Sequence, residues 1–156
     1  MSAPLRATMP TTVPVGAAAL YTNLLRNTAR QIALPWPLYN SALKRAVQEL
    51  HALAGMGVTE QNFTHAPDGQ EFSVRFSEKN EELAGNPLHF GVVSAALLAG
   101  IFSKRRNPAQ LALGLTLTVG YLAFSLLFRW QPWGNRLLLP LFVAGATLLG
   151  VWLERW

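Results

Sequence analysis

The sequence predicts an all-α membrane protein, with three transmembrane helices preceded by amphipathic helices and a loop-rich outer segment. Two observations carry that class. Half of the 156 residues are hydrophobic and 13% are charged, where a soluble domain carries about 25%. The shortage is also local: residues 1–85 hold seven basic and seven acidic side chains, residues 86–156 six basic and one acidic. The net charge of +5 and the pI near 10.2 therefore come from loops flanking apolar runs. A nucleic-acid binder would gather its basic residues on a folded polar surface, so that partner class is excluded. With no cysteine in the chain, disulfide scaffolds, thiolate metal sites and cysteine nucleophiles are excluded too.

In chain order, residues 1–15 form a Pro- and Thr-rich tail with too little apolar surface to fold. Residues 16–85 form the amphipathic segment. Between Gly16 and Leu34, Asn23, Arg26, Asn27 and Arg30 recur at spacings of three and four, so they share one helix face. Leu20, Leu24 and Leu25 give that helix an apolar surface for a membrane interface or a neighbouring helix. Pro35 and Pro37 end it, and Asn40 or Ser41 caps a second helix. Its buried stripe is Leu43, Val47, Leu50 and Ala54, and Gly55 or Gly57 stops it. Residues 58–85 read as loop, with one short strand at Glu71–Phe76.

Residues 86–156 form the membrane domain, with helices at about 86–102, 109–128 and 136–153. A span needs roughly 20 apolar residues. The second run meets that, the third meets it with its flanking Trp residues, and the first needs Leu83 and Ala84 or a thinned bilayer. None shows the polar face that a soluble bundle helix requires. Gly91, Ala95 and Ala99 form a row of small residues suited to close helix packing. Lys104, Arg105 and Arg106 place the 103–107 turn in the cytoplasm, so residues 1–85 and the loop Arg129–Arg136 lie outside. Trp130 and Trp133 then read as anchors at the outer interface, Trp152 and Trp156 at the inner one. No signal peptide explains how a tail of this size is exported, so further membrane helices upstream are expected.

Chemistry-bearing motifs are few. His51, His65 and His89 lack metal-ligand spacing, and neither a nucleophile elbow nor a phosphate loop is present. No motif identifies a cofactor; a divalent metal is left open. Two stretches stand out. Asn80–His89 sets Glu81, Glu82, Asn86 and His89 at the outer mouth of the first membrane helix. Ionisable groups at that depth are costly unless they face a cavity or a partner. Arg129-Trp-Gln-Pro-Trp-Gly-Asn-Arg136 then opens the third helix, where an arginine can grip a lipid-linked phosphate with two parallel bonds.

The runs NEELAGNPLHF, RWQPWGNRLLLPLF and YTNLLRNTARQ resemble the C-terminal part of bacterial polytopic glycosyltransferases that use polyprenyl-phosphate sugar donors. These are the GT-C class, of the dolichyl-phosphate-mannose–protein mannosyltransferase kind. The resemblance implies sugar transfer at the outer face of a bacterial inner membrane, with membrane lipids, a lipid-linked donor and an upstream polytopic segment or subunit as partners. It implies phosphate contact by Arg136, and a donor site lined by Asn86, His89, Glu81 and Glu82. That family's catalytic Asp, in an early outer loop, has no counterpart here, so the catalytic residue is unassigned. The competing expectation is a small non-catalytic membrane subunit packed against a larger polytopic partner.

Overall fold

The three apolar runs fold as helices within one residue of their expected bounds, at Pro87–Phe102, Pro108–Leu127 and Asn135–Leu153. The computed structural model describes residues 16–57, 72–76, 85–102, 108–131 and 134–153. Among them are five helices and no strand: α1 (Ala17–Gln31), α2 (Pro37–Leu53), α3 (Pro87–Phe102), α4 (Pro108–Leu127) and α5 (Asn135–Leu153). The 1–15 tail, His65, Glu81, Glu82, the 103–107 turn, Trp133, Trp156 and the side chain of Trp152 lie outside the described residues.

Helices α3, α4 and α5 pack on one another. Their shared core is Ala96, Leu117 and Leu148, flanked by Val93, Leu97, Leu113, Leu141 and Ala144. Glycines set the closeness of approach. A Cβ on Gly145 would lie 2.6 Å from Val93, one on Gly120 2.9 Å from Leu141, and one on Gly114 would strike Leu97. The small-residue row expected to do this work is elsewhere: Gly91 has open space around it and Ala95 is exposed. Among the described residues, α4, with 20 residues, is the one helix long and apolar enough to cross a membrane. The 16 residues of α3 rise about 24 Å against a hydrocarbon core of about 30 Å.

Helix α1 packs against α4, and α2 packs against α1. Pro37 opens α2 rather than ending α1, which stops six residues earlier at Gln31. A proline suits the first helical position because its missing N–H has no intrahelical partner there. Asn40 is not the cap: its Oδ1 accepts from Leu34 N–H at 3.1 Å and its Nδ2 donates to Leu34 O at 2.6 Å, closing the turn between the helices. At the other end, Gly55 takes φ +68°. Gly55 N–H donates to Ala52 O and Met56 N–H to His51 O, the paired bonds of a left-handed helix stop.

Of the strand expected at Glu71–Phe76, Glu71 lies outside the described residues and the rest is not a strand. Residues 72–76 are extended and alternate as a strand would, Phe72 and Val74 buried and Arg75 exposed, but join no sheet. Phe72 and Val74 instead complete a second core with Ala29, Ala33, Val47 and Trp130, against which Leu25 and Leu43 pack. Leu50 and Ala54, expected in that stripe, are exposed.

One close backbone approach fixes how the chain enters α3. A Cβ on Gly85 would collide with the carbonyl oxygen of Arg30, a main-chain atom that cannot swing aside. Gly85→Ala is therefore expected to cost about 1–3 kcal/mol, seen as a lower denaturation midpoint of the purified protein.

Candidate functional site

The polar face of α1 points inward. Thr22, Asn23, Arg26, Asn27, Arg30 and Gln31 are all buried. The spacing of these residues told which share a side, and the structure buries that side, while Leu20, Leu24 and Leu25 are half-buried. The reason lies in what α1 meets. Near the end of α4 and the start of α5 lie groups that need hydrogen-bond partners, and buried polar groups are paired wherever geometry allows.

The pairing runs residue by residue. Asn23 Nδ2 donates to Phe128 O at 2.9 Å, Asn27 Nδ2 to Ser125 Oγ at 3.2 Å, and the Thr28 and Tyr121 hydroxyls meet at 3.2 Å. Arg30 Nη1 donates to Gln131 O at 3.4 Å. Gln31, fully buried, joins three segments at once. Its Oε1 accepts from Asn86 N–H at 3.1 Å and its Nε2 donates to Asn135 Oδ1 at 2.8 Å. Gln31 thus ties the start of α3 to the start of α5, and the two polar stretches singled out in the sequence meet through it.

Trp130 sits in this layer and not at an interface. It is 3% exposed, with Phe72 edge-on at 5.4 Å. The guanidinium carbons of Arg26 and Arg30 lie 5.6 and 5.8 Å from its ring centroid, within cation–π range. Arg26 is fully buried, and its Nε also donates to Thr22 O at 3.3 Å. Burial lowers the pKa of Arg30 to about 10, so it remains a cation at neutral pH. Burial lowers the pKa of His51 from its ordinary value, opposed by its bond to Val47 and aided by the charge of Arg26. Its Nδ1 donates to Val47 O at 2.7 Å, since a carbonyl oxygen only accepts. Four side-chain atoms of this region are buried with no hydrogen-bond partner: Asn23 Oδ1, His51 Nε2, Arg129 Nε and Trp130 Nε1.

The residues expected at the donor site are placed as follows. Asn86 is half-buried and bound to Gln31 through its backbone. His89 is exposed, one turn into α3, its ring 6.4 Å from that of Phe142 on α5. Arg136 is exposed in the first turn of α5, next to Asn135. Glu81 and Glu82 lie outside the described residues. The sequence reading named Arg26 and Arg30 but gave them no role, because periodicity alone does not say which face is covered.

Next to the polar layer, α3, α4 and α5 form an open apolar cleft of about 210 Å³. Phe90, Leu97, Leu117, Leu138 and Phe142 line it, and Tyr121 stands at its boundary, bonded to Thr28 above. The cleft and the polar layer thus meet at Tyr121, while Arg26 and Arg30 lie buried over Trp130. No group of three or more His, Cys, Asp or Glu able to hold a metal occurs among the described residues. Compared with known proteins, the chain matches no family model, no characterised relative and no solved structure.

Proposed function

We propose that this chain is the C-terminal membrane part of a glycosyltransferase that takes its sugar from a polyprenyl-phosphate donor at the outer face of a bacterial inner membrane. The observation that carries the reading is the Gln31 junction. It brings together the three runs on which the glycosyltransferase resemblance rests, Gln31 being the last residue of one of them, on a helix face that also carries two buried arginines. In this reading α3, α4 and α5 all span the bilayer, α3 where the bilayer thins. Support comes from α4: only 22% of its apolar window is buried within the chain, and Leu115 and Val119 are exposed. A soluble core helix hides such residues; a lipid-facing one does not.

The catalytic carboxylate in this reading belongs to an upstream segment or subunit. Within the chain, Arg136 contacts the donor phosphate, and Asn86 and His89 line the donor site with Glu81 and Glu82. A second reading, a non-catalytic subunit held against a larger polytopic partner, is favoured by the uncovered Gly91 and Ala95 on α3.

Arg136 separates these readings. A phosphate contact needs the planar two-pronged guanidinium, whereas a surface cation tolerates lysine. Loss of one charge-assisted bond costs about 1.5–3 kcal/mol, roughly 10- to 150-fold in rate. In membranes carrying the chain with its upstream partner, Arg136→Lys is expected to lower transfer from labelled polyprenyl-phosphate sugar by that factor. Arg129→Lys, whose Nε makes no bond, serves as the control and keeps activity. Equal activity in both variants removes Arg136 from the donor site. Topology is checked in the same preparation with single cysteines, the native chain having none. Impermeant maleimide is expected to label Ser41→Cys, exposed on α2, from outside and to leave Asn107→Cys unlabelled; the reverse pattern overturns outer-face transfer.

A further inference from the structure

We propose that the groove between α2 and the 72–76 segment binds the phosphate of a small polyol ester, either free or as the headgroup of a lipid. The groove shares no residue with the apolar cleft, is not lined by Arg136, and does not depend on the glycosyltransferase reading. Pro37, Ser41 and Lys44 line one wall and Ser73, Arg75 and Phe76 the other, around a volume of about 340 Å³. Sites for small molecules run from about 300 to 1,000 Å³. Two periodicities bring the polar groups together. On α2, Pro37, Ser41 and Lys44 follow at spacings of four and three, so they share a helix face. In the extended segment, Ser73 and Arg75 alternate with the buried Phe72 and Val74, so they share the side that the core leaves open.

The lining selects the ligand. Lys44 and Arg75 are cations, Ser41 and Ser73 add hydroxyl donors, and no Asp or Glu lines the groove. Asn40, also in the wall, has both amide atoms engaged by Leu34. Among the described residues, Arg75 and the two serine hydroxyls have no hydrogen-bond partner. Lys44 already has an interaction, but its ammonium carries three donors. Donors of this kind call for an anion that only accepts, and the planar guanidinium grips such an oxyanion with two parallel bonds. A tetrahedral phosphate turns oxygens to both walls at once, which a planar carboxylate does not. At about 30 Å³ per water the groove has room for roughly ten, more than a phosphate alone fills. Pro37 and Phe76 give the remaining space an apolar wall, suited to the carbons of a glycerol or a sugar.

The test uses the purified full chain in an uncharged detergent. Glycerol 3-phosphate and the water-soluble dihexanoylphosphatidylglycerol are titrated in by calorimetry, with glycerol as the uncharged comparison. The variants are Arg75→Gln, Ser41→Ala and, as control, Arg45→Gln, an exposed cation of α2 outside the groove. Arg75 and Ser41 are exposed as well, so the exchanges preserve folding. The expected result is that a phosphate probe binds and glycerol does not. Affinity falls at least about 10-fold in Arg75→Gln, as when one charge-assisted bond is lost, falls less in Ser41→Ala, and holds in Arg45→Gln. Tighter binding of dihexanoylphosphatidylglycerol identifies a lipid headgroup as the source and tighter binding of glycerol 3-phosphate a free ester; either order supports the site. Absence of binding by both probes at millimolar concentration overturns the proposal. So does an affinity in Arg75→Gln no lower than in Arg45→Gln, which shows only the general attraction of a positive surface.

Discussion

Trp130→Ala is expected to cost about 3–5 kcal/mol, the range for removing a large aromatic side chain from a packed interior. The size follows from what the indole touches. It fills the space between Phe72 and the two arginines of α1 and belongs to the core that joins α1, α2 and the 72–76 segment. Loss of the ring leaves a void there and takes away the π-face on which Arg26 and Arg30 lie. Trp130→Phe is expected to cost under about 1.5 kcal/mol, as near-conserving apolar exchanges do. The indole N–H is buried without a partner, so deleting it removes a penalty while the ring contact with Phe72 survives. Denaturant unfolding of the purified variants in detergent measures both. An interfacial anchor would show neither effect, and a Trp130→Ala loss below about 1 kcal/mol would return Trp130 to that role.

Gln31→Leu is expected to have the next largest effect. The replacement is similar in size but takes one acceptor from Asn86 N–H and one donor from Asn135 Oδ1. A buried polar group deprived of its partner costs about 1–3 kcal/mol, so the loss is about 2–5 kcal/mol. Because the bridge also sets α3 against α5, the proposed function predicts that sugar transfer falls at least as far as in Arg136→Lys. Pairing Gln31→Leu with Asn135→Leu tests the link itself. Residues that share a bond show a coupling of about 0.5–3 kcal/mol, and strict additivity would mean that the bridge carries no energy of its own.

The parts of the fold that sequence revealed are those set by composition and local sterics. Helices α3, α4 and α5 were legible to within a residue because they are apolar on every side, a property that needs no partner to be read. A glycine stop for α2 was legible at Gly55 or Gly57 because a left-handed φ favours glycine, and Gly55 is the one that takes it. What stayed hidden depends on segments distant in the chain. The face shared by Asn23, Arg26, Asn27 and Arg30 was visible, but its burial depends on Phe128, Ser125 and Gln131, about a hundred positions away. Trp130 read as an interfacial residue because it stands among Arg, Trp and Pro; Phe72, which covers it, is 58 residues upstream. The site behaves likewise. Asn86 and Arg136 were picked out from local polarity at helix mouths, whereas Gln31, which joins their neighbourhoods, stands in sequence as an ordinary amide near a helix end.

The inward polar face of α1 also imposes an order on synthesis. Residues 23–31 leave the ribosome well before their partners at 121–135, with separations of 93 to 105 residues along the chain. At about 5–20 residues per second, that amounts to roughly 5–20 seconds before the bonds to these partners can form. Closure of the polar layer is thus a late step that waits for α4 and the first turn of α5 to emerge. A chain halted before Asn135 leaves Gln31 without that partner and the junction unmade.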